Sequence, residues 1–493
     1  MTLLNTRETV VARRRDEALR PSRAVPGWAA LAVCCLAQFM VVLDISIVNV
    51  ALPQMKAGLH LSPGGEQWVI NAYTLTFAGL LMLGGRAADL FGRRRVFLLG
   101  VGLFTGFSLL GGLAQDGAWL IAARALQGTA GAVLAPATLS LLTTTFTDPA
   151  ERRRAVGAWS ATAASGAAIG VLAGGILTDL LDWRWVLFVN VPIGIVLLAA
   201  AAWTLTESRA GEGTRLDVPG AVTVTAGMAL IVYAIVGTNT HPWGSARTIS
   251  ILAAGIALLG AFVLIEARLA RQPLVPLGVF RRRSLTAANG VSLAIGASIF
   301  SLFFFLSLYL QQVNGYTPLR AGLAFLPIGL AILSAALVAA RMVARIGARR
   351  QLVTGLVLAA AGLAWLTQLA PGEGYWTGVF VPGLLVGVGF GLSFVPMTIG
   401  GTAGIPAHQA GLASGLLNTT RQVGGAVGLA VAATVATAVH AQSAAPHAVA
   451  AALTTGYDRA FAISAAVLAA GALAALLLPG RLAMAQRPPR TGD

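Results

Sequence analysis

The sequence predicts an all-α polytopic membrane protein with fourteen transmembrane helices, arranged as two six-helix bundles with two further helices inserted between them. Three observations carry this reading. Of the 493 residues, 57% are hydrophobic and only 11% charged, against about 25% charged in soluble domains, and the mean hydropathy is +0.78. Apolar windows of about twenty residues, the length that crosses a bilayer as a helix, recur along the whole chain. A turn sequence near residue 90 returns near residue 345.

Taken in order, the start of the chain (1–26) is polar and arginine-rich. The first apolar run ends without a small-residue cleavage pattern, so it reads as a retained span and not as a signal peptide. The expected spans are then 28–52, 67–86, 96–115, 118–144, 155–178, 185–206, 218–238, 248–267, 286–312, 321–340, 351–371, 376–401, 410–439 and 460–480. Cys34 and Cys35 are neighbours in the first span, about 100° apart around a helix, and read as small apolar fillers.

The net charge of +16 raises the possibility of a nucleic-acid partner, and its placement removes it. With the N-terminus inside, twenty-seven of the 34 basic residues fall in the tails and even-numbered turns, and five fall outside. Arg124 and Arg421 lie within spans. This asymmetry is the positive-inside rule and predicts a multi-pass protein of an inner (cytoplasmic) membrane with both termini cytoplasmic.

GRAADLFGRRR (85–95) and ARMVARIGARR (340–350) align without gaps, each in the turn after the second span of a six-span unit. The glycine pair Gly166/Gly170 is echoed by Gly424/Gly428. Such a repeat predicts a cytoplasmic N-tail (1–26), an N-terminal bundle (27–206), two inserted helices (207–283), a C-terminal bundle (284–480) and a cytoplasmic C-tail (481–493). Parallel repeats of this kind form transporters whose substrate site lies at the repeat interface.

The chain has a single lysine, Lys56. A phosphate-binding loop of the Gly-x-x-x-x-Gly-Lys-Ser/Thr type is therefore absent, so no ATP is expected. No spaced Cys/His set suggests a metal, and no cofactor is expected. Transport would then be driven by an ion gradient or by the substrate's own. Within the first span stands Asp44, an acid at a position where insertion costs roughly 2.5–3.5 kcal/mol. That cost marks a functional candidate, with a structural hydrogen bond to a neighbouring helix as the alternative.

Several segments resemble the major facilitator superfamily, in particular its fourteen-span drug:proton antiporter branch. LDISIVNVALP (43–53) is similar to that branch's first-span motif. GRAADLFGRRR resembles the loop motif G-x-L-a-D-r-x-G-r-k, and LIAARALQGTAGA (120–132) the fourth-span motif l-x-x-x-R-x-x-q-G-x-g. DWRWVLFVNVPIG (182–194) and GLASGLLNTTRQVGGAVG (411–428) also look family-typical. The fifth-span motif g-x-x-x-G-P-x-x-G-G is matched at Gly166, Gly170, Gly174 and Gly175, with Val171 in place of the proline. That substitution removes the kink a proline would introduce and leaves strict exchange an open question.

The resemblance implies a major facilitator fold and proton-coupled efflux of lipophilic drugs or antibiotics by alternating access, with protons and the lipid bilayer as partners and a monomer sufficient. Export of an endogenous metabolite or lipid is the alternative within transport; a receptor or a membrane enzyme is the alternative outside it. Asp44 lies about 12 Å from the outer end of its span and Arg124 about 9 Å from the outer end of the fourth, at 1.5 Å per residue. Shared depth invites pairing, with Asp44 as proton carrier and Arg124 as its modulator. Gly85, Asp89, Gly92, Arg93 and Arg94 would form a gating loop, Asp89 facing a helix N-terminus of the opposite bundle. Candidate cavity residues are Asn49, Trp68, Asn71, Tyr73, Gln127, Phe304, Tyr309, Gln311, Gln312, Asn418 and Arg421. Glu266 is expected at the inner end of the eighth span and Asp458 outside the fourteenth. With no second deep acid, the substrate is expected to be monocationic, neutral or anionic.

Overall fold

The computed structural model describes residues 27–208, 216–238, 240–403, 405, 410–441 and 449–478. The two tails, and the segment carrying Arg209 and Arg215, lie outside the described residues. Among those described, there is no strand.

The N-terminal half comprises α1 (Gly27–Leu59), α2 (Pro63–Phe91), α3 (Arg93–Gly112), α4 (Gly117–Thr145), α5 (Pro149–Leu180) and α6 (Trp185–Thr204). Next come α7 (Val218–Gly237) and α8 (Ala246–Leu269). The C-terminal half comprises α9 (Arg283–Val313), α10 (Pro318–Ile346), α11 (Ala348–Leu366), α12 (Tyr375–Thr402), α13 (Ala410–Ala441) and α14 (Val449–Ala475). Twelve of these are long and apolar enough to cross a membrane. The other two, α11 (19 residues) and α13 (32 residues), stand where the eleventh and thirteenth spans are expected.

The starts of the helices are written locally. Ser62 and Thr317 cap α2 and α10, each accepting a hydrogen bond from a backbone N–H three residues on and followed by proline in the first turn, where a missing N–H is harmless. Asp116, Asp148 and Asp217 cap α4, α5 and α7 in the same way. The repeated turn has a backbone cause: Gly92 (φ 104°) and Gly347 (φ 85°) join α2 to α3 and α10 to α11 in the positive-φ region that favours glycine.

The two halves pack alike. In the first, α2 packs on α4, α1 on α5, and α3 on α4 and α6; in the second, α10 packs on α12, α9 on α13, and α11 on α12 and α14. Two equivalent seams join them, α5 against α10 and α2 against α13. Inside lipid no hydrophobic effect draws helices together, so close packing through small residues does. A Cβ at Gly174 would stand 2.6 Å from Ile47 O on α1, and one at Gly175 2.6 Å from Pro318 O on α10. The inserted pair is asymmetric: α7 lies across the α2–α13 seam, and α8 packs on α7.

Candidate functional site

Asp44 is fully buried in α1, and its carboxylate is the centre of a polar cluster drawn from five helices. Oδ2 accepts from Arg124 Nη1 of α4 at 2.6 Å. Oδ1 accepts from Gln127 Nε2 at 2.8 Å and from Asn190 Nδ2 of α6 at 2.8 Å. Asn190 also donates to Ser108 Oγ of α3 at 3.0 Å, and Ser108 to Leu187 O at 2.8 Å. Arg124 is held independently of the acid. It donates to Gln127 Oε1 at 2.7 Å and to Val69 O at 3.3 Å, and its guanidinium lies 4.4 Å from the centre of the Tyr73 ring.

The register of α4 explains the assembly. Arg124 and Gln127 are three residues apart and so share a helix face, and that face meets α1 where Asp44 points inward. Glycine also brings α4 close to α2, which carries Val69 and Tyr73: a Cβ at Gly128 would strike the backbone at Tyr73. On the other side of α1, Gly166, Gly170 and Gly174 line the face of α5 against Phe39, Leu43 and Ile47. α5 is thus the wall behind Asp44. Val171 turns its carbonyl toward Gly322 of α10, so the residue replacing the motif proline lies on the inter-bundle seam.

The cluster has a defined chemistry. A buried carboxylate is tolerable when its lone pairs are taken by donors and a positive charge is adjacent.

The cavity candidates scatter. Asn49, Gln311 and their neighbours tie the bundles together: Gln54 Nε2 donates to Gln311 Oε1 (3.2 Å), Gln311 Nε2 to Val50 O (3.0 Å), and Ser307 Oγ to Asn49 O (2.9 Å). Among the described residues these are the hydrogen bonds that cross directly between the bundles, and all lie beyond Asp44 toward the end of α1. Asn418 and Arg421 pair on α13 (2.6 Å), with Arg421 5.5 Å from the Phe394 ring centre. Asn71 is completely buried, and among the described residues neither polar atom of its amide has a partner. Other candidates do not join these: Tyr309 donates to Ala370 O (2.7 Å) and Gln312 accepts from Tyr457 (3.1 Å), both inside the C-terminal half. Phe304 packs on Phe305, and Trp68 lies against Tyr233 of α7.

At the glycine-turned loop, Asp89 pairs with Arg93 at 2.8 Å within its own loop, and no contact from Asp89 to the opposite half is found among the described residues. The acid at a helix N-terminus here is Glu207, whose oxygens accept from the N–H groups of Arg94 (3.2 Å) and Arg95 (3.3 Å). Gly85 lies against Pro136 of α4, while a Cβ at Gly92 would stand 2.6 Å from Glu207.

Two sequence-based expectations require revision. Asp458 lies not outside the last span but in its third turn, because α14 starts at Val449, eleven residues before the apolar window; its Oδ1 is buried without a partner among the described residues. The C-terminal half therefore does hold an acid inside a helix. Asn190 and Ser108 are central and were not singled out; the one available signal was an asparagine within the apolar run VLFVNVPIG.

This fold and cluster define a membrane transporter built from repeated bundles. Residues 34–429 match the Major Facilitator Superfamily, and the chain belongs to that family. It is 42% identical over 462 residues to the puromycin resistance protein pur8 of Streptomyces alboniger, covering 92% of this chain and 91% of that one. It is 45% identical over 419 residues to the cephamycin export protein CmcT of Amycolatopsis lactamdurans, covering 84% and 86%. Among solved structures, a bacterial homologue of the human lysosomal transporter Spinster, inward-facing and unoccupied, shares the fold at a TM-score of 0.65 and 15% identity, over 92% of this chain and 98% of that one.

Proposed function

We propose that this transporter exports lipophilic small molecules, antibiotics among them, in exchange for protons, with Asp44 as the proton carrier. The observation that carries the reading is the Asp44 carboxylate, fully buried and held at 2.6 Å by Arg124. A proton arriving at Asp44 must displace Arg124, and the freed guanidinium then has Gln127, Val69 O and the Tyr73 ring to hold it. Rocking about the α5–α10 and α2–α13 seams would expose the acid alternately to the two sides. Loss of the proton restores the pair and resets the cycle. One proton moving down 100 mV supplies roughly 2.3 kcal/mol, enough to accumulate substrate against a gradient.

The names of the relatives support drug and antibiotic export as the activity. The arginine asymmetry supports both termini on the cytoplasmic side of an inner membrane, and the paired packing of the halves supports fourteen spans divided as 27–206, 207–283 and 284–480. Both seams between the halves are completed within one chain, which supports action as a monomer. Export of an endogenous metabolite or lipid uses the same machinery and differs only in cargo.

The test is dye or antibiotic transport in everted vesicles energised by a proton gradient. Asp44→Asn is expected to abolish gradient-driven transport at equal protein level. Undiminished proton-driven efflux by that variant would remove Asp44 from this role.

A further inference from the structure

At the arginine-rich end of α7 and α8, far along the chain from Asp44, two more acids are buried together. Asp217 is 7% exposed and Glu266 5%. Their carboxyl groups are within hydrogen-bonding reach of each other. A Cβ at Gly220 would stand 2.6 Å from Asp217 Oδ2 and 3.0 Å from Glu266 Oε1, so both oxygens border one point.

The donors around the pair are unequally shared. Glu266 Oε1 and Oε2 accept from the N–H groups of Leu274 (3.2 Å) and Val275 (2.9 Å), and Asp217 Oδ1 accepts from Gly220 N (2.9 Å) as the cap of α7. Asp217 Oδ2 is buried, and among the described residues no donor reaches it. Its neighbour is a carboxyl oxygen. Two carboxylates in contact repel and do not both ionise, so a proton between them is the missing donor.

We propose that Asp217 and Glu266 form a second proton-binding site, a carboxyl–carboxylate pair sharing one proton, which holds the inserted hairpin to the end of α2 through Arg86. Glu266 folds the 270–275 connector by accepting its two N–H groups. That fold presents the carbonyls of Gln272 and Pro273, and Arg86 of α2 donates to both. Arg86 is the charged side chain facing the acids from α2, with electrostatic contact to both of them. Ala221, beside the cap of α7, and Leu274 of the connector lie in an apolar cluster with Phe262 of α8. The closed clamp thus holds one proton more than the opened one. Stability follows the proton: it is present at low pH and lost as pH rises through the pair's titration. The site reads the pH of the arginine-rich side and transmits it to the helix that carries the gating loop.

The test uses the full chain in lipid nanodiscs and does not depend on Asp44 or on transport. Asp217→Asn keeps the cap oxygen and supplies an N–H donor to Glu266, so it replaces the proton without disturbing the fold; Glu266→Gln is the complementary variant. In infrared pH titration, the wild-type-minus-variant difference is expected to contain a protonated carboxyl stretch that vanishes on alkalisation, for each of the two variants. Hydrogen exchange at Leu274 and Val275, corrected for intrinsic chemistry, is expected to lose protection by up to about tenfold per pH unit in the wild type, the slope for one linked proton, and to stay flat in Asp217→Asn. Difference spectra without that band for both variants, or equal exchange slopes in wild type and Asp217→Asn, would overturn the site.

Discussion

The Asp44–Arg124 contact permits a quantitative prediction through three variants: Asp44→Asn, Arg124→Gln and the double replacement. In Asp44→Asn the amide can keep its oxygen toward Gln127 and Asn190, which donate at 2.8 Å to Oδ1. Its NH₂ then replaces Oδ2 and meets the Arg124 N–H across 2.6 Å, donor against donor, beside an uncompensated buried charge. Arg124→Gln leaves the opposite charge alone, with Oδ2 stripped of its donor. Breaking a buried ion pair from one side costs about 3–5 kcal/mol. The double replacement leaves no charge and two amides able to pair, so its loss is expected to be under about half the sum of the singles, a coupling of about 3 kcal/mol or more, at the upper end of values found between neighbouring sites. The assay is reversible unfolding in mixed micelles alongside proton-driven transport in vesicles. The double variant is expected to regain stability and remain unable to couple transport to protons. Additive losses would refute the pairing as the energetic centre of the cluster, and a fully active double variant would refute its role in coupling.

Two further outcomes follow from packing and from the seam. Gly170→Val places a side chain into Ser46 Oγ and within 2.9 Å of Leu43 O. It is expected to lose about 1–3 kcal/mol through overpacking and to reduce transport by moving α1, whereas Gly166→Ala, whose Cβ meets Phe39 O at 3.3 Å, is expected to be milder; thermal stability of the purified variants ranks them. Gln311→Ala removes the hydrogen bonds to Gln54 and Val50 O, each worth about 0.5–1.5 kcal/mol. It is expected to shift the equilibrium toward the state opened at that end by about 5- to 100-fold, read as faster thiol labelling of a cysteine placed at Asn49; unchanged labelling would show that these bonds do not hold the bundles together.

Much of the fold was readable because lipid imposes strict rules on sequence. A chain with this composition must satisfy its backbone within helices, so apolar windows located the helices to within a few residues in most cases. The turn glycines Gly92 and Gly347 were visible as a repeat because their positive φ tolerates little else. Helix ends were less legible. Window hydropathy starts the last span at 460, while the helix starts at Val449, since polar residues such as Asp458 extend a helix without raising its hydropathy. Glu207, 118 residues along the chain from Asp89, takes the N-terminus of α3, and no local pattern announces it.

The sequence by itself determined that the chain spans a membrane, that it is a repeated six-helix unit, and that Asp44 and Arg124 lie at similar depth. Depth follows from counting residues at a fixed rise, and composition follows from the solvent. Only the tertiary structure decided which way each side chain points and what meets it. Rotation of α4 brings Arg124 and Gln127 to Asp44, α6 adds Asn190, and the end of α8 brings Glu266 to Asp217. Those contacts depend on helix rotation and on the glycines that set helix separation, which are properties of packing between distant segments and not of any one of them.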